Sequence, residues 1–291
     1  MKIQAVLLCG SLALAVLFFV LGIWVPPKAI DFGSDFEILE EASTPSSLPR
    51  KILHTPSGVT LIRVPAGSFL MGSPQSEARR SSDEAQHSAT IDRDFYLAET
   101  ETTIGQWKKV MLTDPPVSGG REDLPVGGIS WHTAMQFAEK MNAMATDDLQ
   151  WRWRLPLEKE WEYACRAETD TPFSFGSTIT TELANFHGGH PYNGGEKQEF
   201  RGGPVPVKSF EPNPWGFYEM HGNLSEWCGD LYVEHPDQAD QAKSVDSGAS
   251  RVIRGGDFFA HGKRARSAYR DGYPPNSEGE KYGFRLVLSI P

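Results

Sequence analysis

The residues best suited to chemistry crowd into one stretch, RGGDFFAHGKRARSAYR, from Arg254 to Arg270. It holds five Lys or Arg, three aromatics and no Cys. Such a stretch suits an active site, a basic patch for an anionic partner, or buried scaffold. Thiol chemistry has few places to reside, because the only cysteines are Cys9, Cys165 and Cys228. No Cys-x-x-Cys spacing is present. Cys165 and Cys228 could pair outside the cytoplasm, but sequence alone does not bring them together. His221 and Cys228 flank the compact, oxygen-rich segment EMHGNLSE (219–226). Two ligands at that spacing are too few for zinc, so a packed histidine and a buried thiol are the plainer reading. His187 and His190 sit three apart in a Gly-rich loop, again one ligand short of a transition-metal site.

These residues need elements to position them. Val59–Val64 reads as a strand, followed by a glycine turn and a second short strand in PAGSFLMGS. Ser76 to His87 reads as loop, and ATIDRDFYLAETE as strand. Thr103 with Gln106 fits a capping box opening a helix. A second helix starts near Ser130 and Thr133, with Ala134, Phe137, Ala138 and Met141 on one apolar face. Trp151, Trp153 and Leu155 alternate with arginines as a half-buried strand. Pro156 then suits a helix start, where Glu158 and Glu160 face the positive end of the dipole. With 28 Gly and 21 Pro in 291 residues, long helices are not expected and loops dominate.

The ends differ from this body. Ala5 to Val25 carries no charge over 21 positions, enough at about 1.5 Å per residue to cross a ~30 Å hydrocarbon core. An uncleaved single-pass anchor is expected, with residues 1–4 a cytoplasmic stub and the remainder extracytoplasmic, periplasmic or extracellular. A cleaved signal peptide, giving a secreted protein, is the competing reading. Residues 26–50 contain little that could form a core and read as a flexible linker. Residues 51–291 are then one domain. A net charge of −10 argues against nucleic acid, whose binding relies on neutralising phosphates.

Seven segments, in order, carry a family resemblance: VPAGSFLMGS, FYLAETETTIGQW, LPVGGISWHTAMQFAEKMN, WRLPLEKEWEYACRA, PNPWGFYEMHGNLSEWCGD, SRVIRGG and YGFRLV. Together they resemble the sulfatase-modifying-factor domain of the formylglycine-generating-enzyme family. The resemblance implies an α+β, irregular, loop-rich fold related to C-type lectins, often carrying calcium. The best-known members oxidise a sulfatase cysteine to formylglycine with oxygen and copper. Relatives include a periplasmic protein of pyoverdine maturation and the iron-dependent ergothioneine synthases, whose His-x-x-x-His-x-Glu module is absent here. The family's copper-binding cysteines follow the Gly-Gly pair. Here Gly255-Gly256 leads to Ala260, and the segment that should carry the second cysteine is shortened, ending in Lys263 and Arg264. Thiolate is the soft donor that selects Cu(I), and neither His nor Arg replaces it. A domain without the copper oxidase is therefore expected.

The resemblance also implies two calcium sites. One comprises Asn185, the carbonyl of Phe186, Glu199 and the carbonyl of Arg201. The other comprises Glu219, the carbonyls of Gly222 and Leu224, and Glu226. The plainer alternative for the second is that its acids are solvated or that Glu226 pairs with an arginine. Leu157 stands where the family commonly has a Thr N-cap. Arg266, Arg270 and Arg285 match family arginines and are expected to be structural, paired with acidic loops. Asp257, His261, Lys263 and Arg264 lie where the family varies. They are expected on the surface, lining a groove for a peptide, glycan or protein ligand with acidic character. An enzyme of other chemistry, or an accessory partner of sulfatase maturation, is the alternative.

Overall fold

The computed structural model describes residues 32–44, 48–117, 120–145, 151–234 and 249–290. The expected anchor at Ala5–Val25 lies outside them. Among the described residues no helix is long and apolar enough to cross a membrane.

The fold is α+β, and among the described residues short strands and three α-helices are held by irregular loops. The chain opens with β1 (Phe36–Glu40), β2 (Lys51–His54) and β3 (Val59–Val64), then β4 (Gly67–Met71), β5 (His87–Ile91) and β6 (Phe95–Ala98). Helices α1 (Ile104–Met111) and α2 (Trp131–Ala143) follow, then β7 (Arg152–Arg154) and α3 (Glu158–Arg166). The last strands are β8 (Ser225–Leu231), β9 (Arg251–Arg254), β10 (Arg270–Tyr273), β11 (Tyr282–Gly283) and β12 (Val287–Ser289). A six-stranded sheet runs β1-β2-β3-β6-β12-β7, a four-stranded sheet runs β10-β9-β8-β11, and β4 pairs with β5.

Helix α1 starts as the sequence implies. The Thr103 hydroxyl accepts the Gln106 N–H at 3.2 Å, and the Gln106 side chain accepts the Thr103 N–H at 3.0 Å. Helix α2 buries Ala134, Phe137, Ala138 and Met141, the spacing that defined its apolar face. Phe137 stacks on Trp107 of α1 and meets Phe284 edge-on, joining both helices to the main core. Burying one such ring contributes roughly 1.5–3 kcal/mol.

One local expectation is corrected, and the missing cap at Leu157 finds its replacement. The region assigned to a linker is partly structured: β1 pairs antiparallel with β2, and buried Phe32 stacks on Trp151 and meets Tyr96. Phe32 in the core and Phe36 packed against it outweigh the surrounding acids there. At α3, Leu157 caps nothing with its side chain, as an apolar residue must. The Asp230 carboxylate of β8 instead accepts the Glu158 N–H at 2.6 Å, and Glu160 reaches back to the Leu157 N–H at 2.7 Å. A strand-borne acid thus replaces the local cap.

Candidate functional site

The stretch Arg254–Arg270 leaves the end of β9, turns through Gly255 and Gly256, and returns as β10. Both glycines have positive φ, +88° and +70°. A Cβ at Gly256 would lie 2.8 Å from the Arg264 carbonyl oxygen, so only glycine lets the loop fold back this closely. The 3-10 turn at Gly262–Ala265 then lies against that corner.

Beneath the loop is a layer of buried ion pairs. Arg266 makes a bidentate pair with Glu84, both bonds 2.7 Å, and a further bond to Glu77 at 2.5 Å. Arg270 makes a bidentate pair with Glu158, both bonds 2.7 Å, and donates to the Val233 carbonyl. Arg285 holds Glu226 with two bonds of 2.7 Å. Arg254 reaches Glu162, which also accepts from Arg166 at 2.8 Å. Burial alone would raise the Glu162 carboxyl; the guanidinium groups of Arg254 and Arg166 outweigh it and hold it below the ordinary range. Arg266, Arg270 and Arg285 are all buried, and only Arg266 finds its acids in a loop. Glu158 belongs to α3 and Glu226 to β8.

Above this layer, the four expected ligand residues separate. Asp257 departs from its expected surface position, being only 4% exposed. It accepts from the Ser225 hydroxyl at 2.9 Å and the Phe259 N–H at 3.0 Å, and Lys281 Nζ lies 3.8 Å away. Ser225 sits at the start of β8, so the carboxylate is drawn inward by a hydroxyl that needs an acceptor. With Arg264, Asp271, Tyr269, Tyr273 and Tyr282 it encloses a narrow pocket of about 10 Å³. Arg264 lies over the Tyr269 ring and 3.6 Å from Asp271. The Tyr269 and Tyr273 hydroxyls donate to Asp271. Burial first, and neighbouring charges after it, push the Tyr269 phenol above its ordinary value. Burial and then Tyr273 do the same for Tyr282. Both phenols are therefore donors here, not bases.

His261 and Lys263 are exposed and face the other side of the 3-10 turn. There they line an open cleft with Arg79, His190, Tyr192 and Lys197. No residue of that cleft lines the tyrosine pocket. The His190 and His261 rings stack at 3.9 Å, and His187 meets His190 at 4.6 Å. Among the described residues, no group of three or more His, Cys, Asp or Glu side chains converges on a metal position.

The calcium expectations fare differently. Asn185 is buried and its amide nitrogen donates to the Gly203 carbonyl and to Asn223, but its Oδ1 is buried with no partner. The chain at Gln198–Glu199 runs against Gly188, which brings Glu199 beside the 185–188 loop. The unpartnered Asn185 oxygen is of the kind that an oxygen-seeking cation takes as a ligand. At the second expected site, both oxygens of Glu226 are engaged, by Arg285 and by the Trp161 indole N–H at 2.8 Å. Glu219 accepts the N–H groups of Lys208 and Ser209. The arginine alternative accounts for Glu226. Buried Glu101 completes this cluster by accepting from the Leu224 N–H and from Asn223. Burial, then Glu226 and Glu219, push its carboxyl well above the usual range.

Cys165 and Cys228 are unpaired and buried. Cys165 Sγ lies 3.6 Å from the Ser267 hydroxyl and 3.7 Å from His221 Nε2. Burial pushes its thiol up to about 12, and pushes the Cys228 thiol well above its ordinary value. His221 is likewise packed. Its Nδ1 lies 2.7 Å from the Ala265 carbonyl, and its Nε2 accepts the Ser174 N–H. Burial lowers its imidazole to about 4.

With this geometry in place, comparison with known proteins gives a consistent answer. Residues 49–290 match the family model described as the sulfatase-modifying factor enzyme 1-like domain. The chain belongs to that family. Bovine formylglycine-generating enzyme is 25% identical, over 85% of this chain and 79% of its own. The bovine protein named inactive C-alpha-formylglycine-generating enzyme 2 is 33% identical, over 71% of this chain and 64% of its own. The solved structure of PvdO from Pseudomonas aeruginosa superposes with a TM-score of 0.68 at 24% identity, over 86% of this chain and all of that one. At that identity it shows the shared fold alone.

Sequence reasoning missed several residues that build the site. Glu158 and Glu162 were read through the helix dipole or not at all, although their i,i+4 spacing places both on the face toward Arg254. Asp271 and Tyr273 come from β10, Tyr282 from β11, and Tyr269 and Lys281 from the residues just before those strands, and no local spacing announces them. Arg79 lay in a run read only as polar loop.

Proposed function

We propose that this sulfatase-modifying-factor domain binds a ligand through the tyrosine pocket and does not oxidise cysteine to formylglycine. One observation carries the reading: Asp257 and Arg264 stand in a closed ring of phenols and paired charges on a loop that holds no thiol. Elsewhere in the domain, both cysteines are held protonated by burial, so neither offers the thiolate that Cu(I) requires. The bovine relative whose name records inactivity is consistent with a family that keeps the fold without the oxidase.

A peptide suits the pocket best among peptide, glycan and protein ligands. Asp257 and Asp271 accept, Arg264 and Lys281 donate, and the phenols donate, which matches the mixed donors and acceptors of a peptide segment. The pocket is too small to admit one as it stands. Arg264, whose side chain is 41% exposed, is the group that can swing away. Calcium belongs to the same proposal, as a structural ion at Asn185, the carbonyls of Phe186 and Arg201, and Glu199. It would supply a fixed positive charge that holds the 185–201 loop. The anchor at Ala5–Val25, with the domain outside the cytoplasm, completes the proposal.

The test is binding of the full-length chain to a library of mixed-charge peptides by fluorescence polarisation. Arg264→Ala and Lys281→Ala should each weaken the selected peptides by about tenfold, the loss expected for a charge-assisted hydrogen bond. In parallel, a sulfatase Cys-x-Pro-x-Arg peptide is incubated with Cu(I) and reductant. Formylglycine detected by mass spectrometry would refute the reading.

A further inference from the structure

The other face of the same loop carries a separate cleft of about 440 Å³, a size that accommodates a small ligand. Its charged lining residues are Arg79, Lys197 and Lys263, joined by His190 and His261. No carboxylate lines it. Among the described residues, none of those three cationic side chains lies in an ion pair with an acid. That is unexpected in a chain of net charge −10, where a surface cation readily finds an acid. The contrast with the layer beneath is sharp, since Arg266, Arg254 and Arg270 are each paired there with glutamates.

The cleft is also built, not merely left over. Arg79 is held at φ +60°, a left-handed conformation uncommon for a long side chain. Two bonds fasten that turn. Arg266 Nη2 donates to the Arg79 carbonyl at 3.2 Å, and the Tyr192 hydroxyl donates to the Ala78 carbonyl at 2.7 Å. On the opposite wall, Asn193 and Gly194 are consecutive left-handed residues, at φ +47° and +79°. Asn193 and Gly194 form an ordinary turn closed by the Gly195 N–H to the Tyr192 carbonyl at 3.0 Å, so Arg79 alone holds a conformation uncommon for its type, and such conformations concentrate at ligand clamps. The stacked His190 and His261 rings also line the cleft.

We propose that this cleft binds a small ligand carrying at least two oxyanion groups, whether sulfate, phosphate or carboxylate. Arg79, Lys197 and Lys263 supply the charge, and the His190–His261 pair supplies a flat contact face. The proposal goes beyond the peptide-binding reading, because the two sites share no lining residue and either can fail alone.

The test is isothermal titration calorimetry on the full-length chain at low salt, with tripolyphosphate, sucrose octasulfate and citrate as probes. At least one should bind, and the preference among them distinguishes phosphate, sulfate and carboxylate. Arg79→Ala, Lys197→Ala and Lys263→Ala should each weaken that probe by about tenfold. Lys263→Arg should retain most of the affinity. All three positions are exposed, and an unchanged melting curve for each variant separates lost binding from lost folding. Lys281→Ala, 3.8 Å from Asp257 at the edge of the tyrosine pocket, should change the affinity less than about threefold, because it lies outside this cleft. Absence of heat with all three probes would overturn the proposal. So would affinity that is indifferent to the three cations, or a loss confined to Lys281→Ala.

Discussion

Replacing Arg266 with alanine should be the most damaging single truncation in the loop Arg254–Arg270. The guanidinium holds two buried carboxylates at once, Glu84 through two bonds of 2.7 Å and Glu77 through one of 2.5 Å. Burial raises the Glu77 carboxyl, with Arg266 as the main opposing influence, so the acid is already poised to neutralise when that charge is removed. Removing one partner of a buried pair typically costs about 3–5 kcal/mol, because the other charge is stranded. Glu84 left without its cation, together with the protonation forced on Glu77, places Arg266→Ala near about 5 kcal/mol. Arg270→Ala should cost nearer about 3 kcal/mol, since Glu158 keeps Arg254 at 3.6 Å as a second cation. A domain of this size loses about 2–4 °C of melting temperature per kcal/mol. The melting point should therefore fall by roughly 10–20 °C for Arg266→Ala and about 6–12 °C for Arg270→Ala. His261→Ala and Lys263→Ala should stay within about 2 °C, being exposed and unpaired by acids. Differential scanning calorimetry of the four variants decides it. An Arg266→Ala protein melting within about 2 °C of the parent would refute the two-carboxylate argument. Addition of Glu84→Gln to Arg266→Ala should recover part of the loss, because it removes one stranded charge.

Three further outcomes are expected. The His221 imidazole is held at about 4 against an ordinary 6.5, so the unfolded chain binds its proton more readily. Its contribution is complete above pH ~6.5 and is lost as pH falls toward ~4, about 3 kcal/mol in all. His221→Asn should flatten the stability-versus-pH profile by that amount in that window, and a profile parallel to the parent's would contradict the burial argument. Chelation should lower the melting point of the full-length chain and Asn185→Ala should abolish the shift, since a ligand bound only by the folded state adds RT ln(1 + [L]/Kd). A melting curve unmoved by chelator would remove calcium from the Asn185 loop. Arg264→Ala should weaken peptide binding while changing stability by only about 0.5 kcal/mol, as befits a half-exposed arginine whose acid lies 3.6 Å away.

The fold was legible wherever one local rule sufficed. The capping box at Thr103 and the apolar face Ala134–Phe137–Ala138–Met141 are local patterns, and both appear as read. The Leu157 cap was not legible, because its replacement is Asp230, 72 residues distant in the chain. The supposed linker misled for another reason. Its composition is polar on average, and an average conceals a few apolar residues that insert singly into a neighbouring core, as Phe32 does.

The site shows the same division more sharply. The family resemblance marked Arg266, Arg270 and Arg285 as scaffold, and all three are buried and paired with acids, but it gave no positions for Asp257, His261, Lys263 and Arg264. Asp257 was expected on the surface because it lies where the family varies. Its partners, Ser225 and Lys281, arrive from β8 and from the residue before β11, far along the chain. The 3-10 turn then makes neighbours in sequence into members of different sites. With three residues per turn, consecutive side chains point about 120° apart, so Lys263 enters the cationic cleft and Arg264 the tyrosine pocket. A loop of this shape can change chemistry on either face without disturbing the other, because Arg266 and Arg270 fix its return path from below. That arrangement explains how the Gly255-Gly256 corner and the buried arginines can persist in a domain whose loop holds no cysteine.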